Sequence, residues 1–336
     1  MRKLLATFLF VLLASAAVPA LCADSIEEIR KSAEQGDKAS QFSLGQRYEA
    51  GKGGVKRDLD SAADWYARAA RQGYKKAQTN LGNLYRAGRG VDQDYVVAMQ
   101  WYRKAADQGD TRAMINVAMM YAKGQGVDKD EAEGLKWLED AAGAGDTQAM
   151  VHLGAMYKSG KGVEKNYEMS TNWYQLAAAK GDMVAQHNLG LSYFTGKGTR
   201  KNFLESVKWH RKSAEKGYPP AEYSMGLRYA GGDGIKQNYS EAARWYQKAA
   251  KHGHVSAQNN LGVMYRKGRG VSQDYAEALE WFRKAAERGH PQAQFNLGNM
   301  YLKGQGVKPD REEARKWFTK AADRGHKGSS KALDSM

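Results

Sequence analysis

The chain has 336 residues, 42% apolar and 26% charged, with a formal net charge of +15 and one cysteine, Cys22. That length and apolar share suffice for a sizeable core, and a lone cysteine excludes a disulfide-stapled scaffold. The surplus of Lys and Arg admits anionic partners, nucleic acid among them, until an export signal and the regular placement of the cations are considered.

Arg2 and Lys3 precede an apolar run from Leu4 to about Val18, followed by small residues up to Ala23. This is the layout of a secretory signal peptide over residues 1–23, cleaved after Ala23. The run is too short to span a membrane, which takes about 20 residues. Lipid attachment at Cys22 competes with this reading, but Leu21 stands where that signal wants a small residue. Cleavage removes Cys22 and lowers the charge to +13, since Arg2 and Lys3 leave with the signal. An exported chain, periplasmic or secreted, is expected, and nucleic acid then drops out as a physiological partner.

Residues 24–36 read as a capping half-repeat. They align with the end of a helix B, but Glu28 stands where the later copies carry tryptophan, as suits a face turned to water.

From 37 to 325 the chain repeats. Trp65, Trp101, Trp137, Trp173, Trp209, Trp245, Trp281 and Trp317 are each 36 residues apart. A fixed period of this length means one supersecondary unit that buries its apolar face only by stacking on its neighbours. Within each unit helix A comes first, for example through Ala77, Leu81, Gly82 and Tyr85. A mid-helix glycine costs about 1 kcal/mol relative to Ala, so it must allow another element close; Ala118 replaces it in the third copy. Each helix A runs into a Gly-x-Gly turn such as Gly88, Gly90 and Val91. A phosphate-loop reading fails, because no strand precedes the turn and no Gly-Lys-Ser follows it.

Helix B follows. Seven residues before each tryptophan stands Asp58, Asp94, Asp130, Asn166, Asn202, Asn238, Asp274 or Asp310, the side chains that cap helix N-termini. Small residues and the indole share one stripe, as Trp281, Ala285 and Ala286 do, before Gly289 stops the helix. Trp173, in the middle of the array, is expected between its own helix A and the following repeat. A cation three residues after the tryptophan in six copies opposes the helix dipole, which accounts for part of the net charge.

The pattern Ala-x-x-x-Leu-Gly-x-x-Tyr-x-x-Gly-x-Gly-Val, then Asp, then Ala-x-x-Trp-Tyr-x-x-Ala-Ala-x-x-Gly, resembles the Sel1-like repeat over residues 40–325. The resemblance implies an all-α fold, an α-solenoid of eight 36-residue helix-turn-helix repeats forming a tetratricopeptide-like superhelix, used for protein–protein interaction. Some secreted relatives carry a disulfide in each repeat and have been discussed as binding or hydrolysing β-lactams. The mature chain lacks those staples, so that activity gains little support. After Gly325 the tail, 326–336, only faintly echoes helix A and is expected to fray.

Catalytic motifs are wanting. His254, His290 and His326 occupy the same turn in consecutive copies, but helices pack about 8–10 Å apart whereas zinc needs nitrogens at about 2.1 Å. There is no serine elbow and no His-Glu-x-x-His, and the carboxylates are too many to single out a pair. No enzyme activity, cofactor or metal is expected.

Partner choice should lie where the copies differ. By analogy with tetratricopeptide superhelices, residues three before and one and four after the helix A glycine line a concave groove. In the middle copies these include Ile115, Met119, Val151, Lys158, His187, Leu191, Phe194, Tyr223 and Leu227, with Arg86 and Arg266 on the shoulders. The centre is apolar and the shoulders basic, which suits a protein segment with apolar anchors and acidic flanks. Tight curvature would instead bury these side chains against the next helix A. The expected protein is a monomeric binding scaffold of the bacterial envelope with a protein partner or an anionic envelope polymer. The alternative is a protein binding the cell wall or a host surface, or a hydrolase acting on wall or β-lactam-like substrates.

Overall fold

A computed structural model describes residues 25–336; the signal-peptide reading of 1–23 lies outside them. The described residues form eighteen helices and no strand: α1 Ile26–Glu34, α2 Lys38–Ala50, α3 Leu59–Arg71, α4 Lys75–Ala87, α5 Tyr95–Ala106, α6 Thr111–Lys123, α7 Glu131–Gly143, α8 Thr147–Ser159, α9 Tyr167–Ala179, α10 Met183–Thr195, α11 Phe203–Glu215, α12 Pro219–Gly231, α13 Tyr239–Lys251, α14 Val255–Lys267, α15 Tyr275–Glu287, α16 Pro291–Lys303, α17 Arg311–Ala322 and α18 Lys327–Asp334. The expected helix-turn-helix repeats are present, from α2 with α3 to α16 with α17. The chain divides into two compact units, residues 25–120 with 124–128, and 121–123 with 129–336. In the first, α1 to α5 each pack on the next; in the second, α7 to α18 do the same.

The helix B caps are as expected. Asp58 accepts from the amides of Asp60 and Ser61, Asn166 from Met169 and Asp274 from Ala276 and Glu277. Most A helices are capped too, at a position the sequence disguises; α4 and α12, with Tyr74 and Tyr218 there, have no side-chain cap. Asp37, Asp110 and Asp182 do this work early in the chain. Later, His254 and His290 accept the amides of Ala257 and Ala293 through Nδ1, at 3.2 Å in each case.

The helix A glycine has a steric reason. A Cβ at Gly154 would come within 2.6 Å of the Tyr174 ring, and one at Gly298 within 2.6 Å of Phe318. Those rings lie one residue past each tryptophan and are buried, Phe318 wholly so. In the third repeat both positions change together in sequence, to Ala118 and Leu138. The second turn glycine is fixed by a close approach as well: Gly306 has φ +72°, and a Cβ there would stand 2.5 Å from the Tyr275 carbonyl oxygen. Buried glutamines tie helices together, Gln78 donating to Ala70 O at 3.1 Å and Gln294 to Ala286 O at 3.0 Å.

The tryptophans face backward along the chain, contrary to expectation. Trp281 packs with Tyr246, Ala249 and Ala250 of the preceding α13 and with Leu261 and Met264 of α14. The six cations three residues on lie over their indoles, 4.3–4.6 Å from the ring centre, so they stack on the rings as well as opposing the dipole.

The tail corrects a second expectation. Instead of fraying, α18 is capped by His326, buries Ser329 and packs on α17. The His326 ring lies 4.7 Å from Phe295, a contact that anchors the final helix.

Candidate functional site

The residues expected to line a groove all lie on A helices, but their surroundings differ. On α4, Arg86 is exposed and its Nε donates to the Tyr102 hydroxyl at 3.1 Å. On α6, Ile115 is half-buried and Met119 is 38% exposed.

In the second unit Val151 is half-buried and Lys158 exposed, both on α8. The structure brings Lys158 together with Leu191 in one pocket of about 250 Å³, lined also by Tyr167, Ser170, Asn188, Ser192, Thr195 and Lys197. Lys158 Nζ lies 3.3 Å from Asn188 Oδ1, and Lys197 Nζ stands 5.3 Å from the Tyr167 ring centre. A hydrogen bond from Lys165, and the charges of Lys165 and Lys197, hold the Tyr167 phenol below its usual range.

Farther along, the expected aromatic anchors are already engaged. Phe194 packs on Phe203 at 5.4 Å and carries the Arg228 guanidinium 3.5 Å from its ring centre. Tyr223 stacks on His254 at 4.4 Å, and Leu227 packs against the core formed by α13, α14 and Trp281. Neither ring is bare. Arg266 is half-buried over the Phe282 ring at 5.6 Å, and burial lowers its pKa.

His187 belongs to a buried polar cluster. Its ring is 5.1 Å from His210 and 5.5 Å from Tyr218, and neither His187 Nδ1 nor His210 Nδ1 has a hydrogen-bond partner. Desolvation, with small contributions from neighbouring cations, pushes His187 down to about 4 and His210 down to about 3. Arg228 adjoins them, buried, its Nε and Nη1 without a hydrogen bond and its Nη1 in an ion pair with Asp233 at 3.6 Å.

Tyr167, Asn188, Lys197 and Arg228 were not among the expected site residues. A signal for Arg228 existed: Leu84, Met120, Met156, Met264 and Met300 hold its place in five copies, with Ser192 and Arg47 in the other two. Among the described residues there is no group of three or more His, Cys, Asp or Glu able to hold a metal, and no helix long and apolar enough to cross a membrane.

The family described as Sel1 repeat matches eight consecutive segments, 38–74, 75–110, 111–146, 147–182, 184–218, 219–254, 255–290 and 291–326. Among solved structures, a protective antigen present in uropathogenic Escherichia coli strains, displaying an SLR fold, is 37% identical with a TM-score of 0.78, covering 93% of this chain and 67% of that one. A Sel1 repeat protein from Oxalobacter formigenes is 33% identical with a TM-score of 0.69, covering 92% and 89%. Among curated proteins none matches.

Proposed function

The chain belongs to the Sel1 repeat family, whose solenoids generally serve protein–protein interaction, and we propose that it is a non-enzymatic scaffold of the bacterial envelope, docking a partner segment along its A helices. The observation that carries this reading is the pocket where Lys158 and Leu191 meet, because it pairs an apolar wall with cations and holds no catalytic constellation. Pockets that join apolar surface to a few convergent polar groups are the usual binding sites. The envelope location rests on the signal-peptide pattern of residues 1–23. A second reading, contact with a host or wall surface, draws on the 37% identical relative being a protective antigen.

One experiment addresses both location and docking. Recovered from the periplasmic fraction, the protein should begin at Asp24 and carry one protein partner in stoichiometric amount. Leu191→Asp should cost at least about 2 kcal/mol of affinity, roughly thirtyfold, with the thermal melt unchanged. Undiminished capture by Leu191→Asp, or a protein held in the cytoplasm with its signal intact, would remove the basis of the proposal.

A further inference from the structure

The period of 36 residues lets every junction between repeats be compared with the next, position by position. Such a comparison singles out one station, where the end of one helix A and the start of its helix B meet the following helix A. Two of the pockets lie at this station. One is the pocket of about 250 Å³ between the fourth and fifth repeats; the other, of about 140 Å³ between the sixth and seventh, is lined by Tyr239, Asn260, Val263 and Arg269 in the places of Tyr167, Asn188, Leu191 and Lys197. In both, a cation of the Gly-x-Gly turn lies over the tyrosine, Lys197 at 5.3 Å and Arg269 at 4.9 Å. Neither lining includes an acidic side chain.

At the two junctions on either side of the pocket between the fourth and fifth repeats the chain supplies a carboxylate itself. Between the third and fourth repeats Glu131 takes the place of Tyr167, with Lys161 in the place of Lys197. Lys129, 2.8 Å away, holds the Glu131 carboxyl below its usual range, and Lys161 adds to the effect. Between the fifth and sixth repeats Asp233 takes the place of Lys197 and faces Arg228 at 3.6 Å, while Arg228, stacked on Phe194, occupies the place of Ser192. At both of these neighbouring junctions, then, the station holds a carboxylate against a cation. Between the fourth and fifth repeats the cations remain and the carboxylate is missing.

We propose that this pocket receives the carboxylate of an Asp or Glu side chain from a partner peptide. The proposal rests on the scaffold reading above and deepens it. Lys158 and Lys197 supply the charge; Lys158 has three donors and spends one on Asn188, leaving others to aim at the incoming oxygens. Leu191 gives the methylene stem an apolar wall, and the Tyr167 hydroxyl marks the positive rim. Charge-assisted bonds of this kind are about twice as strong as neutral ones, so an amide isostere should be rejected.

The test uses the full mature chain and acetylated nonapeptides of one apolar frame whose central residue is Glu, Gln or phosphoserine, read by fluorescence anisotropy. The Glu peptide should bind about tenfold more tightly than its Gln counterpart, with the advantage shrinking as salt rises. Lys158→Gln combined with Lys197→Gln should erase that advantage, and Lys236→Gln, at an exposed turn, should keep it. Both pocket lysines are exposed, so the variants should melt like the parent. Equal binding of Glu and Gln peptides, no binding of either, binding of phosphoserine alone, or a preference surviving the double substitution would each overturn the proposal. Equal binding of the Glu and Gln peptides by the parent chain, with partner capture still sensitive to Leu191→Asp, would leave the scaffold reading standing and remove this one. A preference for Glu with capture insensitive to Leu191→Asp would do the reverse.

Discussion

Replacing Gly154 with alanine should destabilise the protein by about 3 kcal/mol, although the same change in an open helix normally stabilises by up to about 1 kcal/mol. The added methyl would stand 2.6, 2.8 and 2.9 Å from three atoms of the Tyr174 ring, which is buried and cannot swing into solvent. Gly143 supplies the control, since a Cβ there meets nothing within 4 Å; Gly143→Ala should raise stability slightly. Tyr174→Leu in the Gly154→Ala background imitates the third repeat's Ala118 and Leu138, and should show a favourable coupling of at least about 1 kcal/mol in a double-mutant cycle. Urea unfolding of the four proteins decides the matter. Equal, small effects of Gly154→Ala and Gly143→Ala would show that the ring is not pressed on the helix.

The second large effect concerns acid. His210 has a folded pKa of about 3 and His187 one of about 4, both depressed by burial, against about 6.5 in an unfolded chain. Each folded group binds protons less readily than its unfolded counterpart, so the contribution is fully present above pH 6.5 and stability falls as pH drops below it. The loss from each continues until the folded pKa is reached. At pH 4.5, two units below the unfolded value, His210 alone should account for about 3 kcal/mol. His210→Phe places there the ring that the seventh and eighth repeats carry as Phe282 and Phe318. Between pH 7 and pH 4.5 the variant should lose about 3 kcal/mol less stability than wild type, measured from urea midpoints. An identical acid loss in both proteins would mean that His210 titrates normally and is not sealed from water.

Much of the fold could be read without coordinates because its causes are local and repeated. An Asp or Asn seven residues before each tryptophan caps a helix whatever lies nearby, and Gly82 or Gly298 signals a close approach even before the ring it meets is known. The helix A caps were harder to see, since Asp, Tyr and His share one column and a capping histidine looks like a ligand or a loop residue. The direction of the tryptophans depends on which neighbour their side chains lean toward, and the 36-residue spacing is the same for either. The engagement of Phe194 was hidden for a similar reason: it is set by Arg228, one repeat away, whose place in most other copies is held by Leu, Met or Ser. Likewise the tail carried only a weak helical pattern, and the ring contact that anchors α18 joins His326 to Phe295, 31 residues earlier on α16. Features held by one helix were legible; those that depend on two side chains from different repeats were not.

The central claim, that partners dock on the A helices, is tested most directly by photocrosslinking in living cells. A crosslinking residue at position 191 on α10 should trap one protein species, while the same residue at the exposed helix B position of Arg244 on α13 should trap none. Trapping of that species from position 244 and not from 191 would contradict the account.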